Sequence, residues 1–178
     1  EILARAGLTE IEGRGKGAPD PASQETYAKH AHGAVFAEVK VDPDFGQIRV
    51  TRLVGAFAAG RVINPRLVRS QYYGGMIWGV SAALHEGGEA DPRHGNWVNA
   101  DLAEYLIPVH ADIPAIEAIM LDDFDEHANH LGVKGIGELG AGGTGGSVAN
   151  AVYNATGVRV RDFPITIARL LPGLETLS

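Results

Sequence analysis

With 178 residues, 45% of them apolar and 21% charged, the chain has the composition of a globular protein long enough for one domain with a packed core, which argues against disorder. Its formal charge of -7, from 15 Lys and Arg against 22 Asp and Glu, argues against a nucleic-acid module, since phosphate binding needs a basic face. The absence of cysteine removes disulfides, thiolate zinc sites and cysteine-held iron-sulfur clusters from this segment, so a redox metal would have to arrive on an organic ligand or be held by other domains.

The chain begins with Glu1 and runs directly into a helix-like stretch, Glu1 to Gly7, as a piece of a longer protein would. No basic-then-apolar leader and no run of about 20 apolar residues is present, so no membrane span is expected; any targeting signal would lie upstream, leaving periplasm and cytoplasm both open. Residues 9–26 are rich in Gly and Pro without helical or strand period and read as a connecting loop, making residues 1–26 a connecting segment and 27–178 the folded part.

In Gly33-Ala-Val-Phe-Ala-Glu-Val-Lys-Val-Asp42, residues Val35, Ala37, Val39 and Val41 alternate with bulkier or polar neighbours. Pro43-Asp-Phe-Gly46 supplies a turn, and Gln47 to Val54 resumes the period of two, so the pair predicts a hairpin with one buried face. Asn64-Pro65 opens the longest predicted helix, running to about Glu86, with Gly87-Gly88 after it. Gly74, Gly75 and Gly79 inside it each cost up to ~1 kcal/mol relative to Ala, which implies close approach of another backbone or a ligand.

Asp91 to Asp112 reads as loop, Ala115 to Asp122 as a strand, and Asp122-Asp-Phe-Asp-Glu126 as a solvated acidic turn without the glycine of a calcium loop. Gly132 to Gly146 carries too little side-chain bulk to fill a core. A second helix is predicted from Ser147 to Thr156 with Gly157 as its cap, then a short strand at Val158-Arg-Val160 and a closing stretch from Pro164 to Leu171. The mixed order of strands and Gly/Ala-rich helices is that of an α+β protein.

Gly135-Ile-Gly-Glu-Leu-Gly140 matches the dinucleotide fingerprint and precedes a helix, although the residues before it do not read as the required strand and Glu138 would set a carboxylate beside a pyrophosphate. The other reading takes Glu138 as the point of the motif: a carboxylate in a bulk-free turn, open to close approach by another molecule and suited to work as a general base. An exposed glutamate in a flexible loop is the bland alternative, and the residues alone leave these open.

His85-Glu-Gly-Gly-Glu89 lacks the second histidine of a zinc protease motif, and the other histidines show no ligand spacing, His130 alone being near the glutamate turn. Met76 and Trp78 are placed in the core by helical spacing, while Trp97, Tyr105 and Phe124 are candidates for a substrate funnel.

From Tyr27 to Pro172 these residues resemble the C-terminal part of the molybdenum-cofactor-binding subunit in the xanthine oxidase family of molybdenum hydroxylases. The likeness rests on Gly33 to Asp42, Gly60-Arg-Val-Ile-Asn-Pro65, Gln71-Tyr-Tyr-Gly-Gly75, Gly79 to Leu84, Tyr105-Leu-Ile-Pro108, Asp112-Ile-Pro114, Lys134-Gly-Ile-Gly-Glu138 and Asn150 to Gly157, in family order and spacing. Phe57 to Arg61, Arg69-Ser-Gln71, Trp78-Gly79, Leu84-His-Glu86 and Gly157 to Asp162 resemble in particular the bacterial, periplasmic-type aldehyde oxidoreductases. Ala58 and Trp78 stand where many relatives carry Asp and a second Gln, which weighs against purine chemistry.

The resemblance implies Glu138 as catalytic base, Gln71 in contact with the pterin with Ser70 and Arg69 as neighbours, and Lys134, Gly135 and Gly137 as further cofactor contacts, with no metal ligand from this chain. It implies a molybdenum–molybdopterin cytosine dinucleotide cofactor, 2Fe-2S and FAD groups on partner subunits or domains, and oxidation of a small aldehyde or heteroaromatic substrate with water as the oxygen source. A segment of this size cannot enclose such a cofactor, so activity is expected only with the rest of the subunit.

Overall fold

The computed structural model describes residues 1–18 and 21–175; residues 19–20 of the expected connecting loop lie outside them. The elements are α1 (Ile2–Arg5), α2 (Pro21–Thr26), β1 (His32–Val41), β2 (Ile48–Ala58), α3 (Pro65–Leu84), β3 (Ala115–Met120), α4 (Leu139–Gly142), α5 (Thr144–Thr156) and α6 (Ile167–Glu175). The fold is α+β, and among the described residues no helix is long and apolar enough to cross a membrane.

The alternating pattern becomes the expected hairpin, with β1 antiparallel to β2 in a register that pairs Phe36 with Val54 and Val35 with Gly55, and with a bulge between Glu38 and Val39. Its turn is built by Asp42, whose Oδ1 accepts from the Asp44 and Phe45 amides at 2.9 and 3.0 Å. β3 joins the other edge of β2 in parallel, with Leu53 opposite Ile116, so the sheet is mixed in the order β1-β2-β3. The connection between β2 and β3 contains α3.

Helix α3 starts where a cap and a proline coincide: the Asn64 side chain accepts from the Arg66 and Leu67 amides at 3.1 and 3.2 Å, and Pro65 occupies the first turn. Tyr72, Met76, Val80 and Ala83 recur at helical spacing and are fully buried with Leu53 and Phe57 of β2, Val148 and Val152 of α5, and Leu170 of α6. Burying each large apolar side chain of this set contributes roughly 1.5–3 kcal/mol. Helices α3 and α5 cover one face of the sheet.

Several expectations are corrected. Residues 21–26 form a short helix with Pro21 at its first position rather than loop. The second long helix begins at Thr144, three residues earlier than expected. The glycine block does enter the core, because Gly140 and Thr144 are buried against α3. A Cβ on Gly75 would stand 2.9 Å from the Ala141 nitrogen, and one on Gly140 would stand 2.6 Å from the Tyr72 carbonyl oxygen, so backbone packs on backbone. Residues 158–160 form no strand; Val158 and Val160 pack against the core without a ladder partner. Met76 is in the core as expected, but Trp78 is 55% exposed.

Candidate active site

The turn 134–138 leads straight into α4, and Glu138 is the residue that caps it. Its carbonyl oxygen accepts from the Ala141 and Gly142 amides at 3.1 and 3.3 Å, which fixes the backbone, while its carboxylate makes no cap hydrogen bond. Among the described residues nothing pairs with that carboxylate, which is exposed on the wall of an open groove of about 770 Å³. Gly135, Gly137, Gly142 and Gly143 line the same wall, so the groove presents backbone instead of side chains there.

The opposite wall comes from the sheet. Val35 of β1 and Phe57 of β2 line it with Gly33, and the Phe57 ring lies against Gly33 and stacks on Tyr72 with ring centroids 4.3 Å apart. Tyr72 is wholly buried and its hydroxyl has no hydrogen-bond partner among the described residues, and burial pushes that phenol above its usual range. The sheet wall is therefore rigid and apolar, and the glycine wall is polar and smooth.

Gln71, exposed in the second turn of α3, approaches this site: its Oε1 lies 3.9 Å from the position a Cβ would take on Gly137. Helix α3 and the glycine turn thus bring Gln71, Gly135, Gly137 and Glu138 together. Ser70 and Arg69 are exposed, and each step back along a helix turns a side chain by about 100°, so neither lines the groove.

Lys134 is adjacent in sequence but turned elsewhere. Its ammonium lies 3.1 Å from Asp123 Oδ2 and 3.1 Å from Asp125 Oδ2. Burial would depress the Lys134 ammonium, but hydrogen bonds to both carboxylates outweigh it and hold it above its ordinary value. The same hydrogen bonds hold the Asp123 and Asp125 carboxyls below the usual range, aided by the Gly60 amide at Asp123 and the His127 amide at Asp125. The expectation of a solvated acidic turn at 122–126 is corrected accordingly: two of its carboxylates are partly buried partners of Lys134. No local spacing signals this pairing.

The strand that a dinucleotide fingerprint requires before Gly135 is absent; Val133 makes only an isolated bridge to Gly60. Trp97 and Tyr105 share a separate pocket of about 630 Å³, where the Tyr105 hydroxyl donates to Glu86 Oε2 at 2.9 Å. Phe124 is not with them; its ring sits on Gly132 and lines a different cleft. His130 is exposed and lines none of these.

Residues 3–114 match the model of the molybdopterin cofactor-binding domain, a range that includes Gln71 and stops short of Glu138. Over 151 residues the chain is 50% identical to the aldehyde oxidoreductase molybdenum-binding subunit PaoC of Escherichia coli K12, a match covering 85% of this chain and 20% of that subunit. It is 29% identical over 140 residues to the xanthine dehydrogenase molybdenum-binding subunit of Escherichia coli O157:H7, covering 79% of this chain and 18% of that one. The solved structure of the aldehyde oxidoreductase from Desulfovibrio gigas superposes with a TM-score of 0.72 at 27% identity, over 82% of this chain and 15% of that protein. The chain therefore spans about a fifth or less of the length of these relatives.

Proposed function

The chain belongs to the molybdopterin cofactor-binding domain family, and from that premise we propose that it supplies one wall of the active site of a molybdenum-dependent aldehyde oxidoreductase, with Glu138 as general base. The observation that carries this reading is the free Glu138 carboxylate on a groove whose wall is glycine backbone, with the Gln71 amide beside it. Higher identity to an aldehyde oxidoreductase subunit than to a xanthine dehydrogenase subunit, 50% against 29%, favours an aldehyde over a purine.

The residues present fit a large, flat, hydrogen-bonding cofactor. Gly135 and Gly142 have open space where a Cβ would stand, so backbone amides can be approached closely, and Gln71 offers both a donor and an acceptor to a pterin ring. When bound, the molybdenum cofactor supplies the redox centre that accepts two electrons from the substrate. Glu138 takes a proton from the water-derived nucleophile, its reach set by the α4 cap. Val35 offers the substrate an apolar surface on one side, with the buried Phe57 ring packed beneath that wall as its support. Gly135 and Gly137 keep the approach unobstructed, while Ser70 and Arg69, turned away from the groove, take no part in it.

The rest of the molybdenum subunit, carrying the other walls, and iron-sulfur and FAD subunits that take the electrons away complete the enzyme under this reading. The cofactor form is molybdopterin cytosine dinucleotide. Metal and nucleotide analysis of the purified complex tests it: molybdenum with a cytosine nucleotide released by acid supports the assignment. Bound nicotinamide, or no metal, refutes it.

A further inference from the structure

Lys134 opens the turn that ends in Glu138, yet its side chain leaves the groove. Besides the Asp123 and Asp125 carboxylates at 3.1 Å each, its ammonium reaches the His30 carbonyl oxygen at 3.4 Å, so all three of its protons are directed at acceptors within this chain. The side chain is 10% exposed, and those of Asp123 and Asp125 are 28% and 17% exposed. Such a group has no donor left for a cofactor.

The partners connect the turn to the sheet. Asp123 and Asp125 lie just beyond the end of β3, and Asp123 Oδ2 also accepts from the Gly60 amide beyond the end of β2 at 3.1 Å. Backbone bonds reinforce the junction: Lys134 donates to the Ala59 carbonyl at 3.1 Å, and Arg61 donates to the Gly132 carbonyl at 2.6 Å. Downstream, Gly140 is fixed against the α3 backbone. Between these two anchors, Gly135 and Gly137 flank Ile136, which packs partly buried against the core, and the two glycines give the backbone little resistance to bending on either side of it.

We propose that Lys134 is a positioning residue and not a cofactor ligand: its ammonium, clamped by Asp123 and Asp125, ties the glutamate turn to the ends of β2 and β3 and sets where Glu138 enters the groove. This rests on the reading of Glu138 as the base. With the Lys134 anchor removed, the glycines on either side of Ile136 would let the carboxylate shift by about an ångström, a displacement that costs a catalytic group up to about 10²-fold in rate.

The test uses the complete, cofactor-loaded enzyme with Lys134→Met, Lys134→Arg and Asp125→Asn. Molybdenum content, amide hydrogen exchange and steady-state kinetics are measured on each. Lys134→Met is expected to retain wild-type molybdenum while exchange at residues 132–140 rises roughly 10-fold and the remainder of the subunit is unchanged. Its kcat should fall about 10–100-fold with KM shifted by less than about 3-fold, the signature of a misplaced base rather than a lost binding contact. Asp125→Asn gives a smaller change of the same kind, and Lys134→Arg restores most of both exchange protection and kcat.

Loss of molybdenum from Lys134→Met with exchange at 132–140 unaltered would make the lysine a cofactor ligand and overturn the proposal. Wild-type exchange and kcat in that variant would overturn it equally. Full turnover in Glu138→Gln would instead remove the premise about the base, and the exchange result would still decide whether the clamp holds the turn.

Discussion

Gly74 and Gly75 are adjacent in α3, and changing each to alanine should move stability in opposite directions. Alanine improves helix propensity at either position by about 1 kcal/mol. At Gly74 nothing lies within 4 Å of the new methyl, so the gain is realised, and the melting temperature should rise by about 2–4 °C for a chain of this length. At Gly75 the methyl would stand 2.9 Å from the Ala141 nitrogen and 3.0 Å from Gly140 Cα and carbonyl carbon, all backbone atoms that cannot rotate aside. Overpacking of that kind costs typically 1–3 kcal/mol, and with unyielding backbone at its upper end. Net destabilisation of about 1–2 kcal/mol remains, lowering the melting temperature by about 3–6 °C. Thermal unfolding of both variants followed by circular dichroism checks the pair. If Gly75→Ala stabilised as much as Gly74→Ala, α3 and α4 would not be in backbone contact, and the placement of Glu138 that depends on that contact would fall with it.

Phe57→Ala should cost about 3–5 kcal/mol by denaturant titration, because the ring is 1% exposed, stacks on Tyr72 and fills the space above Gly33. Asn64→Ala removes the acceptor for two amides at the start of α3 and should cost about 1 kcal/mol in the same titration, with Asn64→Asp close to wild type. The Lys134 clamp should be insensitive to pH across the neutral range. The Asp123 and Asp125 carboxyls are lowered from 3.8, so their contribution is present above that value and is lost as pH falls through the depressed one; Lys134 is raised from 10.5, so its contribution is present below 10.5 and lost only as pH rises beyond it. Protection factors for residues 132–140 should therefore stay level from about pH 5 to 10, and a drop near neutrality would contradict the ion pairing.

What was legible in the sequence follows from how local each signal is. The hairpin reads directly because its period of two is the pleat itself, and α3 reads because Asn64, Pro65 and the recurrence of Tyr72, Met76 and Val80 all lie within the helix they define. The glycine block departs from expectation because a segment poor in side-chain bulk can still enter a core when backbone packs on backbone. Here Gly140, Thr144 and Gly145 are helical because small residues let α4 and α5 sit directly on Gly75 and Gly79 of α3, a tertiary gain invisible along the chain. Trp78 shows the converse: its spacing suggests core, but Gly79 beside it takes the contact with Thr144 and leaves the indole on the rim.

The site divides in the same way. Glu138 stands out because one carboxylate in a bulk-free turn is a local anomaly, and Gln71 was identified through family resemblance rather than through any property of its neighbours. Asp123 and Asp125 as partners of Lys134, and Val35 and Phe57 as a wall of the groove, were not legible along the chain, since those roles exist only once β1, β2 and β3 are aligned.

The most direct test of the central claim is turnover of an aldehyde by the complete enzyme carrying Glu138→Gln, with molybdenum content measured on the same preparation. The amide keeps the shape of the side chain and removes its basicity, so kcat should drop on the order of 10²–10⁴-fold while molybdenum stays at the wild-type level. Wild-type turnover with full molybdenum would show that the proton is taken by another group.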